Sequence, residues 1–114
     1  MPREATELAG IAASPGRATG LALWLKAADA SGESHTIPRP GSILLTDFVT
    51  PSHILFLLEV RGVATMTGGA TSHGASLSRD LGIPCVCGLG ASLERIVDGS
   101  EVTIDGTHGT ITLT

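Results

Sequence analysis

The residues best placed to do chemistry lie in one short stretch, Gly68-Gly69-Ala70-Thr71-Ser72-His73. A β-prone segment from Val63 to Thr67 ends there, two glycines follow, and Ser72 opens a segment with helical character. Glycines let a backbone take positive φ or come close to a ligand. The first turn of a helix has N–H groups without intrahelical partners, at the positive end of the helix dipole. Such a turn favours an anion, and phosphate is the natural one for a glycine-rich strand-to-helix connection. His73 falls in that first turn. An imidazole nitrogen there can attack phosphorus, and the helix end stabilises the charge the ring then carries. Thr71 and Ser72 add hydroxyls that can cap the helix or donate to phosphate oxygens. Arg79, six residues after His73, could reach phosphate or a docking partner; its alternative role is a surface or capping residue paired with Asp80 or Asp47. The candidate site is therefore His73 as the reacting group, with Gly68, Gly69, Thr71, Ser72 and Arg79 binding phosphate or supporting the turn. Spacing alone leaves His73 a second role, as a helix cap or surface residue.

Phosphoryl transfer is driven mainly by positioning and electrostatics. Metal ions and arginine clusters usually supply the latter. This chain is acidic, with net charge −4 and only seven Lys and Arg, so that help has to come from another domain or partner. No cofactor is expected on this chain itself.

Other chemistry-bearing residues read differently. Cys85-Val86-Cys87 puts both thiols on one face of a strand. A zinc site needs two more ligands, with only His108 or His73 nominally available, so core packing is the expected role. Asp47 is expected to cap or orient a nearby loop. His35 and His53 are expected to be exposed. Ser72 lacks the Gly-x-Ser-x-Gly setting of an acyl-transfer nucleophile and has no assigned acid.

The elements that must position this turn follow from pattern. Leu8–Ala13 and Thr19–Lys26 read as strands, pairing as a hairpin around Ser14-Pro15-Gly16. Residues 27–41 read as a loop, or a loop with a short edge strand. Ser42–Thr46 reads as a buried strand, and Thr50-Pro51 starts a helix running to about Val60, with Gly62 as its stop. A second helix runs from Ser72 through about Leu81, ended by Gly82 and Pro84. Cys85–Cys87 is a short strand, residues 91–97 hold one helical turn, and Glu101–Asp105 and Thr110–Thr114 form two strands around Asp105-Gly106. The expectation is an α/β domain, β-rich at both ends, with two central helices.

Composition bounds the rest. A chain of 114 residues with 42% apolar content can build one core without disulfides. One Trp, two Phe and no Tyr leave few stacking platforms, and with the acidic charge this argues against nucleic-acid binding. The longest apolar run, Ile54–Leu58, is too short to span a membrane. No signal peptide is visible, so a cytoplasmic protein is expected.

The stretch from Gly68 through Gly88 resembles the phosphohistidine motif of the phosphoenolpyruvate-utilising enzymes: pyruvate phosphate dikinase, phosphoenolpyruvate synthase, Enzyme I of the sugar phosphotransferase system and rifampin phosphotransferases. That pattern reads roughly Gly-Gly-x-Thr-Ser-His, then small and apolar residues to Ala-Arg, then Leu-Gly-Ile-Pro-Ala-Val-Val-Gly. Gly10 to Gly20, Asp47-Phe-Val-Thr-Pro51 and Asp98 to Gly106 resemble other parts of the same domain. The likeness spans residues 8–114, with residues 1–7 as a polar lead. It implies the swivelling β/β/α fold of the mobile domain and transient phosphorylation of His73. It also implies a transferase component that is incomplete alone. An ATP-grasp-like nucleotide-binding domain, a phosphoenolpyruvate- or pyruvate-binding barrel, or both, would act in cis or in trans, with Mg and ATP or phosphoenolpyruvate bound there. Thr71 matches a threonine that some dikinases use for regulation. A non-catalytic docking module and a regulatory phosphohistidine protein are the alternatives. Departures from the pattern are Gly74, where Ala or Thr is commoner, Ser76 and Ser78 in place of larger or apolar residues, and the two cysteines.

Overall fold

In the computed structural model the residues described are 6–25, 40–50, 53 and 57–113. Eight strands form a mixed sheet: β1 (Thr6–Ala9), β2 (Ile11–Ser14), β3 (Arg17–Trp24), β4 (Ile43–Thr46), β5 (Gly62–Thr65), β6 (Cys85–Cys87), β7 (Glu101–Asp105) and β8 (Thr110–Leu113). Their spatial order is β1-β8-β7-β3-β4-β5-β6-β2. One α-helix, α1 (His73–Leu81), and a 3-10 segment at Gly90–Arg95 complete the described elements.

The long strand β3 joins two layers. Its first part, Arg17–Leu21, pairs antiparallel with β7, while Ala22–Trp24 pairs parallel with β4. The antiparallel group β1-β8-β7-β3 lies on one side of the parallel group β3-β4-β5-β6. Both faces of the parallel group are buried, which is why β4 and β5 are apolar or small without polar alternation. Ile43 and Leu45 enter a core with Val102, Ile104 and Ile111 of the antiparallel layer. Leu44 enters the other core, with Ala75 of α1 and Cys85 and Cys87 of β6. The layers are therefore sheet, sheet and helix.

Several expectations are met and some are corrected. Ser72 and Gly82 cap α1 as read, Gly82 in the left-handed region. The strand at Cys85–Cys87, the helical turn near residues 91–97 and the closing strand pair are all present. The expected hairpin between the first two strands is not formed. Leu8–Ala13 is two strands, with β1 pairing β8 and β2 pairing β6, and β3 pairs with neither. Local turn chemistry at Ser14-Pro15-Gly16 lost to tertiary pairing. The helix expected from Pro51 to about Val60 falls largely outside the described residues, as does most of the loop at 27–41. Among the described residues the chain is mostly β with one short α-helix, and the first of the two expected helices lies largely outside them. His53 is fully buried, not exposed. Its Nδ1 accepts from the Thr50 N–H at 3.1 Å, and burial lowers its pKa from the ordinary 6.5. His35 lies outside the described residues. Among the described residues no helix is long and apolar enough to cross a membrane.

Candidate functional site

Strands β3, β4, β5 and β6 run in the same direction. The turn carrying His73 leaves the finishing end of β5. Neighbouring strands hold it through backbone and hydroxyl groups. The carbonyl of Asp47, just past β4, accepts from both the N–H and Oγ1 of Thr67 at 3.0 Å. Thr65 Oγ1 donates to the Thr67 carbonyl at 2.6 Å. The N–H groups of Leu89 and Gly90 donate to the carbonyls of Thr65 and Met66. Asp47 thus orients the loop as expected, through its backbone rather than its carboxylate.

Gly68 then turns the chain with φ +98°, a left-handed conformation that a side chain would strain. A Cβ there would also press on Ser72, 3.2 Å away. Ser72 is the pivot of the turn. Its Oγ donates to the Gly69 carbonyl at 2.7 Å and accepts the Ala75 N–H at 3.3 Å. Its carbonyl accepts the Ser76 N–H, the first α-helical bond. His73 is therefore the first residue of α1, with an exposed side chain. The N–H groups of His73 and Gly74 precede the first intrahelical bond and have no hydrogen-bond partner among the described residues. Thr71 is exposed beside them, and Gly69 is half-buried.

The helix sits close to the sheet because its inner face is small: Gly74, Ala75 and Ser78 are its buried residues. Gly74 is required there. A Cβ would lie 2.7 Å from Val49 Cγ2 and 3.0 Å from Val49 Cβ. The departure from the usual Ala or Thr thus has a local cause, the valine that follows β4.

Arg79 pairs with neither Asp80 nor Asp47. Its Nη1 donates to the Ala70 carbonyl at 2.8 Å and to the Ala13 carbonyl of β2 at 2.7 Å, and Nη2 donates to Ser76 Oγ at 3.4 Å. It ties the glycine-rich turn to the sheet edge, a supporting role. Cys85 and Cys87 are both buried, with thiols 3.6 Å apart, and Cys87 Sγ lies 3.7 Å from Ser72 Oγ. The hydrogen bond with Cys87 and burial push the Cys85 thiol up. Core packing, as expected, is what these cysteines do. Sequence reasoning missed Thr65, Thr67, Val49 and the Ala13 carbonyl as parts of the support. All act through backbone bonds or contacts between distant segments, which leave no local pattern.

An exposed imidazole thus stands at a helix start, held by a pinned glycine turn in a mostly β domain. The chain belongs to the family described as "PEP-utilising enzyme, mobile domain", whose model matches residues 37–109. It is 36% identical over 104 residues to the phosphoenolpyruvate synthase of Pyrococcus furiosus, covering 91% of this chain and 12% of that protein. A solution structure of an Enzyme I protein is similar over 66% of this chain and 31% of that one, with 34% identity and a TM-score of 0.57. A solution structure of a UPF0107 protein shares the fold, with TM-score 0.73 and 20% identity, covering 96% of this chain and 99% of that one. The chain spans 12 to 14% of the length of the curated relatives it matches.

Proposed function

We propose that this chain is a swivelling phosphoryl carrier. A nitrogen of His73 attacks the phosphorus of a donor, ATP or phosphoenolpyruvate. The N–P bond forms as the donor P–O bond breaks, and the electron pair leaves on the donor oxygen. The acceptor then takes the phosphoryl group by the reverse displacement. The observation that carries this reading is the exposed His73 side chain beside two helix-terminal N–H groups without partners among the described residues. Those amides meet the phosphoryl oxygens once the ring is modified. Membership of the family supports it.

Donor and acceptor sites would lie on other domains or partners: a nucleotide-binding domain, a phosphoenolpyruvate- or pyruvate-binding barrel, or both. Mg and the nucleotide or phosphoenolpyruvate would be bound there. The exposure of His73 at a sheet end suits alternating docking. Gly68, Ser72 and Arg79 hold the turn, while Gly69 and Thr71 are left beside the incoming phosphate.

The test is labelling with 32P-phosphoenolpyruvate or γ-32P-ATP, with a relative's nucleotide-binding or barrel domain added in trans. Acid-labile, base-stable label on His73 is expected, and none on a folded His73→Ala variant. Phosphoramidate, a small phosphoryl donor, gives a partner-free arm. Equal labelling of His73→Ala, or no labelling of the wild type in any arm, refutes the carrier role.

A further inference from the structure

At the opposite end of the parallel strands lies an open cleft of about 630 Å³. Arg17 is the first residue of β3, Arg61 immediately precedes β5, and Pro84 immediately precedes β6. These residues line the cleft with Thr19, Val60 and Ile83. Strand direction separates it from His73: the cleft is at the starting ends, the histidine turn at the finishing end.

Three observations point to a ligand. First, neither the Arg17 nor the Arg61 side chain has a hydrogen-bond acceptor or ion-pair partner among the described residues. Asp105 stands opposite Arg17 in the β3–β7 register, yet its carboxylate is taken elsewhere. It accepts the N–H groups of Thr107 and His108 at 3.0 Å each and pairs with His108 Nδ1 at 2.8 Å. Second, among the described residues β3 has a ladder partner on one side only over Arg17–Leu21, because pairing with β4 begins at Ala22. That gap is the room in which the cleft opens. Third, Val60, Ile83 and Pro84 give it an apolar floor, and the volume lies within the range of small-molecule sites. Val60 and Pro84 are buried, so this floor belongs to the folded core.

Two guanidiniums without partners among the described residues share one cleft in a chain of net charge −4, and so concentrate positive charge there. Guanidinium forks match carboxylate and phosphate oxygens. We infer that this cleft binds a small organic anion, with a carboxylate or phosphate against Arg17 and Arg61 and an apolar body on Val60, Ile83 and Pro84. The site is separate from the phosphoryl-carrying turn and does not depend on it.

The test is a 1H-15N NMR titration of the intact chain with phenyl phosphate and benzoate, and with inorganic phosphate as the body-free control. Saturable shifts are expected at Arg17, Thr19, Arg61 and Gly82, with phenyl phosphate or benzoate binding at least about tenfold more tightly than inorganic phosphate. Arg17→Gln and Arg61→Gln should each weaken that binding about tenfold, with the remaining spectrum unchanged, and binding should weaken as salt is raised. No saturable shifts up to about 10 mM overturn the proposal. So do shifts confined to Gly68–Gly74, equal affinity for inorganic phosphate, or retention of binding in the folded Arg17→Gln/Arg61→Gln double variant. Binding of an acidic peptide with no response to either aromatic anion also overturns it, in favour of a protein partner.

Discussion

Replacing Gly74 with alanine sets two effects of known sign against each other. Alanine in a helix is favoured over glycine by about 1 kcal/mol. The added Cβ would lie 2.7 Å from Val49 Cγ2 and 3.0 Å from Val49 Cβ. Val49 is buried and sits in the second core with Ala75, so relief requires the first turn of α1 to lift off the β4 end. Overpacking of this kind costs about 1–3 kcal/mol. The net expectation is a destabilisation of roughly 1 kcal/mol, despite the better helix former. Urea denaturation of wild type, Gly74→Ala, Val49→Ala and the double variant measures it. Trimming Val49 removes the clash, so the pair should show a favourable coupling of about 1–2 kcal/mol. If Gly74→Ala alone stabilises by the bare propensity gain, with no coupling to Val49, the helix start is not seated on Val49 and the reasoning fails.

Further outcomes follow from the same geometry. Ser72→Ala removes the cap to Ala75 N–H and the bond to Gly69. It should cost about 1 kcal/mol in denaturant melts and lower hydrogen-exchange protection at Ala75. Arg79→Lys keeps the charge but cannot span the Ala13 and Ala70 carbonyls. His73 labelling should slow roughly tenfold or more, because a misplaced nucleophile loses rate steeply; unchanged labelling would remove Arg79 from the support. His53 is buried and its pKa is lowered from 6.5 by that burial. The unfolded chain therefore binds the proton first, so stability is full above 6.5 and declines as pH falls below it toward the folded value. Melts between about pH 7.5 and 5 should show that decline, and His53→Gln should flatten it.

The histidine turn was legible because its determinants are local. A strand end, two glycines, a capping serine and a helix stop at Gly82 each act within a few residues, so residue type and order predict them. The Gly68–Gly88 likeness carried the family for the same reason: the motif is contiguous. The cysteine pair was legible too, since alternation puts both thiols on one strand face. The hairpin was misread because Ser14-Pro15-Gly16 predicts only a turn, not which strands flank it in space. β1 and β2 are neighbours in sequence and opposite edges in the sheet order, a choice made by pairing with β8 and β6. The burial of His53 was hidden because a lone histidine carries no periodic signal.

By itself, then, the sequence determined the histidine at a helix start, its glycine turn and the family, since these rest on short-range sterics, capping and a contiguous motif. Only the tertiary structure decided what Arg79 holds, why residue 74 must be glycine, and that Arg17 and Arg61 meet across one cleft. Those relations join residues tens of positions apart, and nothing but the packing of the strands between them sets their distance.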